Sequence, residues 1–81
     1  MMNCDQQDYI EIACSFRLSV RLTLRNGEQL DGVAVDTLYN AQRQECVQLG
    51  TASGKRAVPL DSLKSMQALT ENPHFRLLEF D

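Results

Sequence analysis

The 81-residue sequence lacks the features that mark several classes of protein. It has no apolar run near the roughly 18 residues that a membrane-spanning helix needs. Its three cysteines, Cys4, Cys14 and Cys46, form an odd set without a C-x-x-C pair, and His74 is the only histidine. We therefore expect neither a disulfide framework nor a zinc site. The first residues contain no basic segment followed by an apolar one, so no secretory signal is indicated and we expect a cytoplasmic protein.

Groups that could catalyse a reaction are also scarce. Catalysis needs a nucleophile beside a base, or two carboxylates held in different environments. His74 follows Pro73 in a predicted turn, where we expect an exposed loop residue. Cys14 and Cys46 lie in amphipathic segments, in which small buried thiols are usual. The Gly-x-x-x-Gly at 50–54 lacks the Lys-Ser/Thr of a phosphate-binding loop. We expect no enzyme, no cofactor and no metal.

The excess negative charge lies entirely at the N-terminus. The net charge is −3, residues 1–16 contain three acidic and no basic residues, and residues 17–81 contain eight of each. Nucleic-acid binding normally requires an excess of Lys and Arg, so RNA or DNA is not the favoured partner. A local acidic segment suits a basic protein surface, although acidic residues also favour helix N-termini for structural reasons.

The acidic segment predicts a short helix at about residues 6–16. Asp5 is the predicted N-cap, with Asp8 three residues later in an approximate capping box. The apolar stripe predicted to pack inward consists of Tyr9, Ile12, Ala13 and Phe16. Asp8 and Glu11 lie together on another face as a like-charge pair, which costs a few tenths of a kcal/mol in helix stability.

A two-residue alternation of apolar and polar side chains over 18–24 predicts a half-buried strand. Asn26-Gly27 then predicts a type I′ hairpin turn, because both residues tolerate positive φ. The returning strand, 28–36, contains Gly32, which permits a bulge or bend. Residues 37–44 are polar without a clear period and form either a loop or an extension of the flanking strands.

The rest of the chain predicts short strands separated by turns. These strands are 45–49, 55–60, 65–69 and 75–80. Pro59 cannot donate a ladder hydrogen bond and is placed at a strand end, and Leu60, Leu63 and Met66 mark one helical turn. The prediction is a single domain, 1–81, of mostly β class: an Sm-like or SH3-like small β-barrel at about 17–81, preceded by the short N-terminal α-helix.

Three arginines offer an alternative function. Arg17, Arg21 and Arg25 recur at even spacing and could form one face of the first strand, as in an Sm-like RNA-binding module. No aromatic residue joins that face as a stacking platform, and the chain has only two Tyr, three Phe and no Trp. A solvated strand face is therefore favoured. A purely structural subunit of another assembly is a third hypothesis.

The segment NCDQQDYIEIAC at 3–14, the alternation over 18–24 and NGEQL at 26–30 together resemble the Rof (YaeO) family of Rho-binding antiterminators. The resemblance continues more loosely through RAVPLDSL at 56–63. It implies an Sm-like barrel preceded by an N-terminal helix. It also implies that this protein, like that bacterial family, binds the transcription termination factor Rho at its primary RNA-binding surface, competes there with RNA and so inhibits Rho-dependent termination.

The same resemblance implies which residues bind the partner. Asp5, Asp8 and Glu11 match its acidic positions and are expected to contact Lys and Arg side chains of Rho, while Asn3 is expected to hydrogen-bond at the rim. Cys4 and Cys14 also match and are interpreted as packing groups. We expect a free monomer without membrane or direct nucleic-acid contact, an arginine stripe that points away from Rho, and a second contact from the loop within 37–44.

Overall fold

A computed structural model describes residues 2–80 of the chain. It contains one helix, six strands and a short 3₁₀ turn within that range. The elements are α1 (Cys4–Ser15), β1 (Ser19–Leu24), β2 (Gln29–Tyr39), β3 (Glu45–Thr51), β4 (Gly54–Pro59), the 3₁₀ turn (Leu60–Ser62), β5 (Leu63–Ala68) and β6 (Leu77–Glu79). No helix in the described residues is long and apolar enough to cross a membrane. The predicted class, mostly β with an N-terminal helix, is confirmed.

The strands form one antiparallel sheet in the order β4-β3-β2-β1-β5-β6. The long strand β2 holds it together, because its first half pairs with β1 and its second half with β3. At Gly32 a Cβ atom would clash with the carbonyl oxygen of Gly50 and lie 3.0 Å from Leu49 Cγ. Gly32 therefore permits the close approach of β3, whereas the bulge itself falls three residues later, at Val35 between Ala34 and Asp36.

The sheet encloses a single cluster of buried apolar side chains, to which every strand except the short β6 contributes a buried member. In β1 the alternation predicted from the sequence places Val20, Leu22 and Leu24 inside. Helix α1 adds Ile10 and Ala13, which are at most 1% exposed, and the helix packs chiefly against β2. Docking of the helix on β2 determines which helix residues face solvent.

The helix begins two residues before the predicted start. Asn3, not Asp5, is the N-cap: its Oδ1 accepts from the Gln6 N–H at 2.9 Å, and Gln6 Oε1 accepts from the Asn3 N–H at 3.1 Å. This reciprocal pair satisfies two backbone donors at once, which Asp5 with Asp8 does not. Asp5 instead lies in the first turn, where its negative charge still favours the helix dipole.

The inward helix face is also rotated from the predicted stripe. Ile10, Ala13 and Cys14 are the buried helix residues, so of the predicted set only Ala13 is fully inside. Tyr9 packs at the edge of the core, with its ring edge-on to Phe75. Ile12 is only half-buried.

The exposed end of the predicted stripe has its own partner. Phe16 is 59% exposed and stacks on the ring of His74, with centroids 4.7 Å apart. His74 is consequently half-buried rather than an exposed loop residue.

Several loops differ in detail from the sequence prediction. Gly27 has φ of 93°, but Asn26 is not among the non-glycine residues with positive φ, so the β1–β2 turn is not type I′. The Gly27 N–H instead donates to Leu24 O, giving a three-residue loop with glycine in the left-handed position. The β3–β4 hairpin and the position of Pro59 at the end of β4 agree with the prediction.

Candidate protein-binding surface

The outer face of α1 carries three exposed carboxylates, those of Asp5, Asp8 and Glu11. At 3.6 residues per turn they span about 120° of the helix, and Asp8 lies about 160° around the axis from the buried Ile10. Within residues 2–80 none of the three forms an ion pair. We call these residues, with Asn3 at the helix start, the acidic helix face. All four predicted site residues are therefore on the surface and on one element.

The sheet adds two further carboxylates beside the helix. Gln7 Nε2 donates to Glu45 Oε1 at 3.2 Å, which joins α1 to the start of β3. Asp36 of β2 lies across a shallow cleft of about 420 Å³ from Glu11. Neither Asp36 nor Glu45 could be assigned to this surface from the sequence, because nothing in their local pattern indicates that the helix docks against them. The acidic surface thus extends from α1 onto β2 and β3.

Arg17 ends the helix and lines the same cleft. It has φ of 50° and occupies the left-handed position of a Schellman motif, in which Leu18 N–H donates to Ala13 O at 2.9 Å and Arg17 N–H to Cys14 O at 3.2 Å. Its guanidinium Nη1 donates to Cys14 O at 3.0 Å and to Val35 O. The cation therefore binds carbonyls at the negative end of the helix and fastens α1 to β2.

The predicted stripe of three arginines on one strand face does not form. Arg17 precedes β1 and lines the same cleft as Glu11, contrary to the expectation that it points away from the acidic face. Arg25 follows the strand, and its Nε donates to Asp61 O at 3.0 Å. The positive φ at Arg17 interrupts the two-residue alternation that suggested the stripe.

Arg21 is the one member of the proposed stripe within β1. Its guanidinium forms a two-point ion pair with Asp31 of β2, with N–O distances of 2.8 and 2.9 Å. This hydrogen-bonded pairing lowers the pKa of Asp31 and raises that of Arg21. The charge of Arg21 is therefore matched within the sheet, and the three arginines do not form one continuous basic track.

The interpretation of Cys14 as a packing group agrees with its burial, whereas the same interpretation of Cys4 is wrong because that side chain is exposed. Cys14 and Cys46 are buried, Cys4 is exposed, and all three are free thiols. Burial raises the pKa of Cys14 to about 11, with a further increase from the nearby carboxylates of Asp36 and Glu11 that Arg17 partly opposes. Burial likewise raises the pKa of Cys46. Both buried thiols are therefore poor nucleophiles at neutral pH.

Comparison with known proteins assigns the chain to a family. Residues 1–80 match the family described as "Modulator of Rho-dependent transcription termination (ROF)". The chain is 34% identical to Protein rof of Escherichia coli (strain K12) and of Shigella flexneri, over 79% of this chain and 75% of each relative. A solved structure, "YaeO bound to Magnesium from Vibrio cholerae O395", superposes with a TM-score of 0.90 at 47% identity, over 91% of this chain and 96% of that chain.

The family match spans both α1 and the sheet, and it agrees with the resemblance seen in the opening segment. The family is regulatory and not enzymatic, as the scarcity of catalytic groups predicted. The chain belongs to the Rof family of bacterial modulators of Rho-dependent transcription termination.

Proposed function

We propose that this protein inhibits Rho-dependent termination by binding the primary RNA-binding surface of Rho through its acidic helix face and competing there with RNA. One observation carries the proposal: the carboxylates of Asp5, Asp8 and Glu11 are exposed on one rigid element and form no ion pair among residues 2–80. A surface that captures RNA is basic, so carboxylates can occupy the positions of phosphates.

The way the helix is held supports this role. The capping box at Asn3 fixes the first turn of α1, and Arg17 together with the Gln7–Glu45 hydrogen bond attaches the helix to the sheet. The carboxylates are thereby presented on a preformed surface, which reduces the conformational entropy lost on binding. Because Asn3 Oδ1 already accepts a hydrogen bond from the Gln6 N–H, the Nδ2 group of Asn3 is left to donate to a partner at the rim.

The loop 40–44 is the second element of the proposed interface. Asn40 Oδ1 accepts from the backbone N–H groups of Gln42 and Gln44, at 3.0 and 2.9 Å, so the loop is ordered by its own side chain. It leads directly into Glu45, which is bonded to the helix through Gln7. Contact with Rho along the acidic helix face would therefore bring this loop to the edge of the same interface.

The test is binding of purified Rho to the double variant Asp8→Asn with Glu11→Gln, measured by gel filtration and by titration at several salt concentrations. We expect affinity to fall about 10-fold or more and the salt dependence of binding to decrease, because two charge contacts are lost. Oligo-C RNA should displace the wild-type protein from Rho.

The matched control is Asp61→Asn with Glu71→Gln, which removes the same charge from exposed residues outside α1. It should bind Rho as tightly as wild type. Equal weakening by both double variants would show that only net charge matters, and unchanged affinity of the helix variant would remove this face from the interface. Binding of Rho that oligo-C does not oppose would exclude competition with RNA.

A further inference from the structure

Tyr39 is the one aromatic side chain that is neither buried nor packed against another ring among the described residues. Tyr9 packs against Phe75, Phe16 stacks on His74, and Phe80 is 3% exposed. Tyr39, by contrast, is 70% exposed, the largest value among the exposed apolar and aromatic side chains. Aromatic residues are enriched in protein-binding surfaces relative to the rest of a protein's surface.

The position of Tyr39 places it beside the acidic surface. It is the last residue of β2 and pairs directly with Glu45 of β3, so the two side chains share one face of the sheet with Cβ atoms about 5 Å apart. Glu45 is bonded to Gln7 of α1, which precedes Asp8. The ring therefore stands at the margin of the acidic helix face.

The backbone around Tyr39 is fixed rather than loose. Immediately after it, the Asn40 N–H donates to Gln44 O and Asn40 Nδ2 donates to Gln44 Oε1, both at 3.0 Å. These bonds close the loop behind the ring and continue the β2–β3 ladder. Tyrosine has only two side-chain torsions, so a ring on such a support loses little entropy when it is buried by a partner.

We infer that Tyr39 is the apolar anchor of the Rho interface and occupies a position where the RNA-binding surface of Rho stacks a base. This inference rests on the proposed function. Surfaces that bind single-stranded nucleic acid combine basic groups that follow the backbone with sites that stack bases. The acidic helix face matches the first feature, and an exposed ring beside it matches the second. A polyanion mimic with both would discriminate against other basic surfaces.

The experiment measures Rho binding by Tyr39→Ala and Tyr39→Phe across a salt series. Removal of a buried aromatic anchor should weaken binding about 10-fold or more. The salt dependence should stay at the wild-type value, because no charge is removed. Tyr39→Phe keeps the ring and should bind within about 3-fold of wild type. Leu77→Ala is the control: Leu77 is also exposed, at 55%, but lies on β6. It should bind as wild type.

Thermal unfolding checks that each variant is folded, and Tyr39→Thr, which retains high strand propensity, replaces the alanine variant if the latter unfolds. Wild-type affinity of folded Tyr39→Ala, with the Asp8 and Glu11 double variant impaired, would overturn this inference and leave the proposed function intact. Impairment of Tyr39→Phe equal to that of Tyr39→Ala would overturn stacking by the ring. Failure of the wild-type protein to bind Rho would refute the proposed function itself.

Discussion

Arg17 allows the backbone and side-chain contributions to helix attachment to be separated. Its φ of 50° is a conformation that costs a non-glycine residue about 1 kcal/mol relative to glycine. Its guanidinium recovers a similar amount through hydrogen bonds to Cys14 O and Val35 O, about 1 kcal/mol for an exposed side chain. Arg17→Ala loses the hydrogen bonds and keeps the backbone cost, so it should be destabilised by about 1 kcal/mol. Arg17→Gly loses the hydrogen bonds and also removes the backbone cost, so its stability should be close to that of wild type.

Thermal unfolding, monitored by circular dichroism, measures the difference in stability between Arg17→Ala and Arg17→Gly. For a domain of this size, about 1 kcal/mol corresponds to a change in Tm of about 4–8 °C, so Arg17→Ala should melt that far below Arg17→Gly. Equal Tm values for the alanine and glycine variants would refute the assigned backbone conformation. Wild-type stability of Arg17→Ala would instead show that the guanidinium contributes nothing to attachment of the helix.

Two further predictions concern the packing of β2 and of α1. Gly32→Ala should lower the free energy of unfolding by about 2 kcal/mol, because the added Cβ meets the backbone of Gly50. Gly50→Ala should be tolerated, because the Cβ added there would lie 3.5 Å from Val35 Cγ2. Urea denaturation measures the free energy of unfolding of both variants. Because the pKa of Cys14 is raised from 9.0 to about 11, the unfolded chain loses this proton first and stability should fall between those pH values. Urea denaturation from pH 8 to pH 11 should show a shallower decline for Cys14→Ala, and an identical decline would refute burial of the thiol.

Features set by local periodicity could be predicted from the sequence. The alternation in β1 fixes which side chains face the core, and the structure places Val20, Leu22 and Leu24 inside as expected. Pro59 lies at a strand end because it lacks an N–H group for the ladder. These inferences depend only on residues within one or two positions of each other, so tertiary packing does not alter them.

The helix was only partly predictable, because competing local signals were decided by packing. Asn3 and Asp5 are both good N-caps by type, and Gln6 selects Asn3 by completing the reciprocal pair of hydrogen bonds. The inward face follows Cys14 and not Phe16, since the turn at Arg17 directs the chain back toward β1 immediately after Phe16. A large aromatic at the last helical turn is thus left outside, where His74 covers it.

The candidate site also combines features that local sequence determines with features that tertiary packing determines. The helix carboxylates could be identified from the charge distribution alone, because the first sixteen residues contain acidic and no basic side chains. The sequence separates Glu11 by at least 25 positions from Asp36, Tyr39 and Glu45. Only the docking of α1 on β2 brings these three residues close to the helix. No motif or spacing in the sequence encodes that juxtaposition.

The exposed carboxylates of α1 and the contacts that hold the helix in place belong to different residues. Among residues 2–80 the ion pairs are Arg21–Asp31, between β1 and β2, and Arg56–Glu28, between β4 and the β1–β2 turn. Neither pair involves α1. The helix is held by its cap, by buried apolar side chains, by the carbonyl contacts of Arg17 and by the Gln7–Glu45 hydrogen bond. None of these contacts involves the exposed carboxylates of α1. Neutralising Asp8 and Glu11 should therefore leave stability unchanged or raise it by a few tenths of a kcal/mol through relief of like-charge repulsion. A loss of Rho binding in that variant consequently reports on the interface and not on the fold.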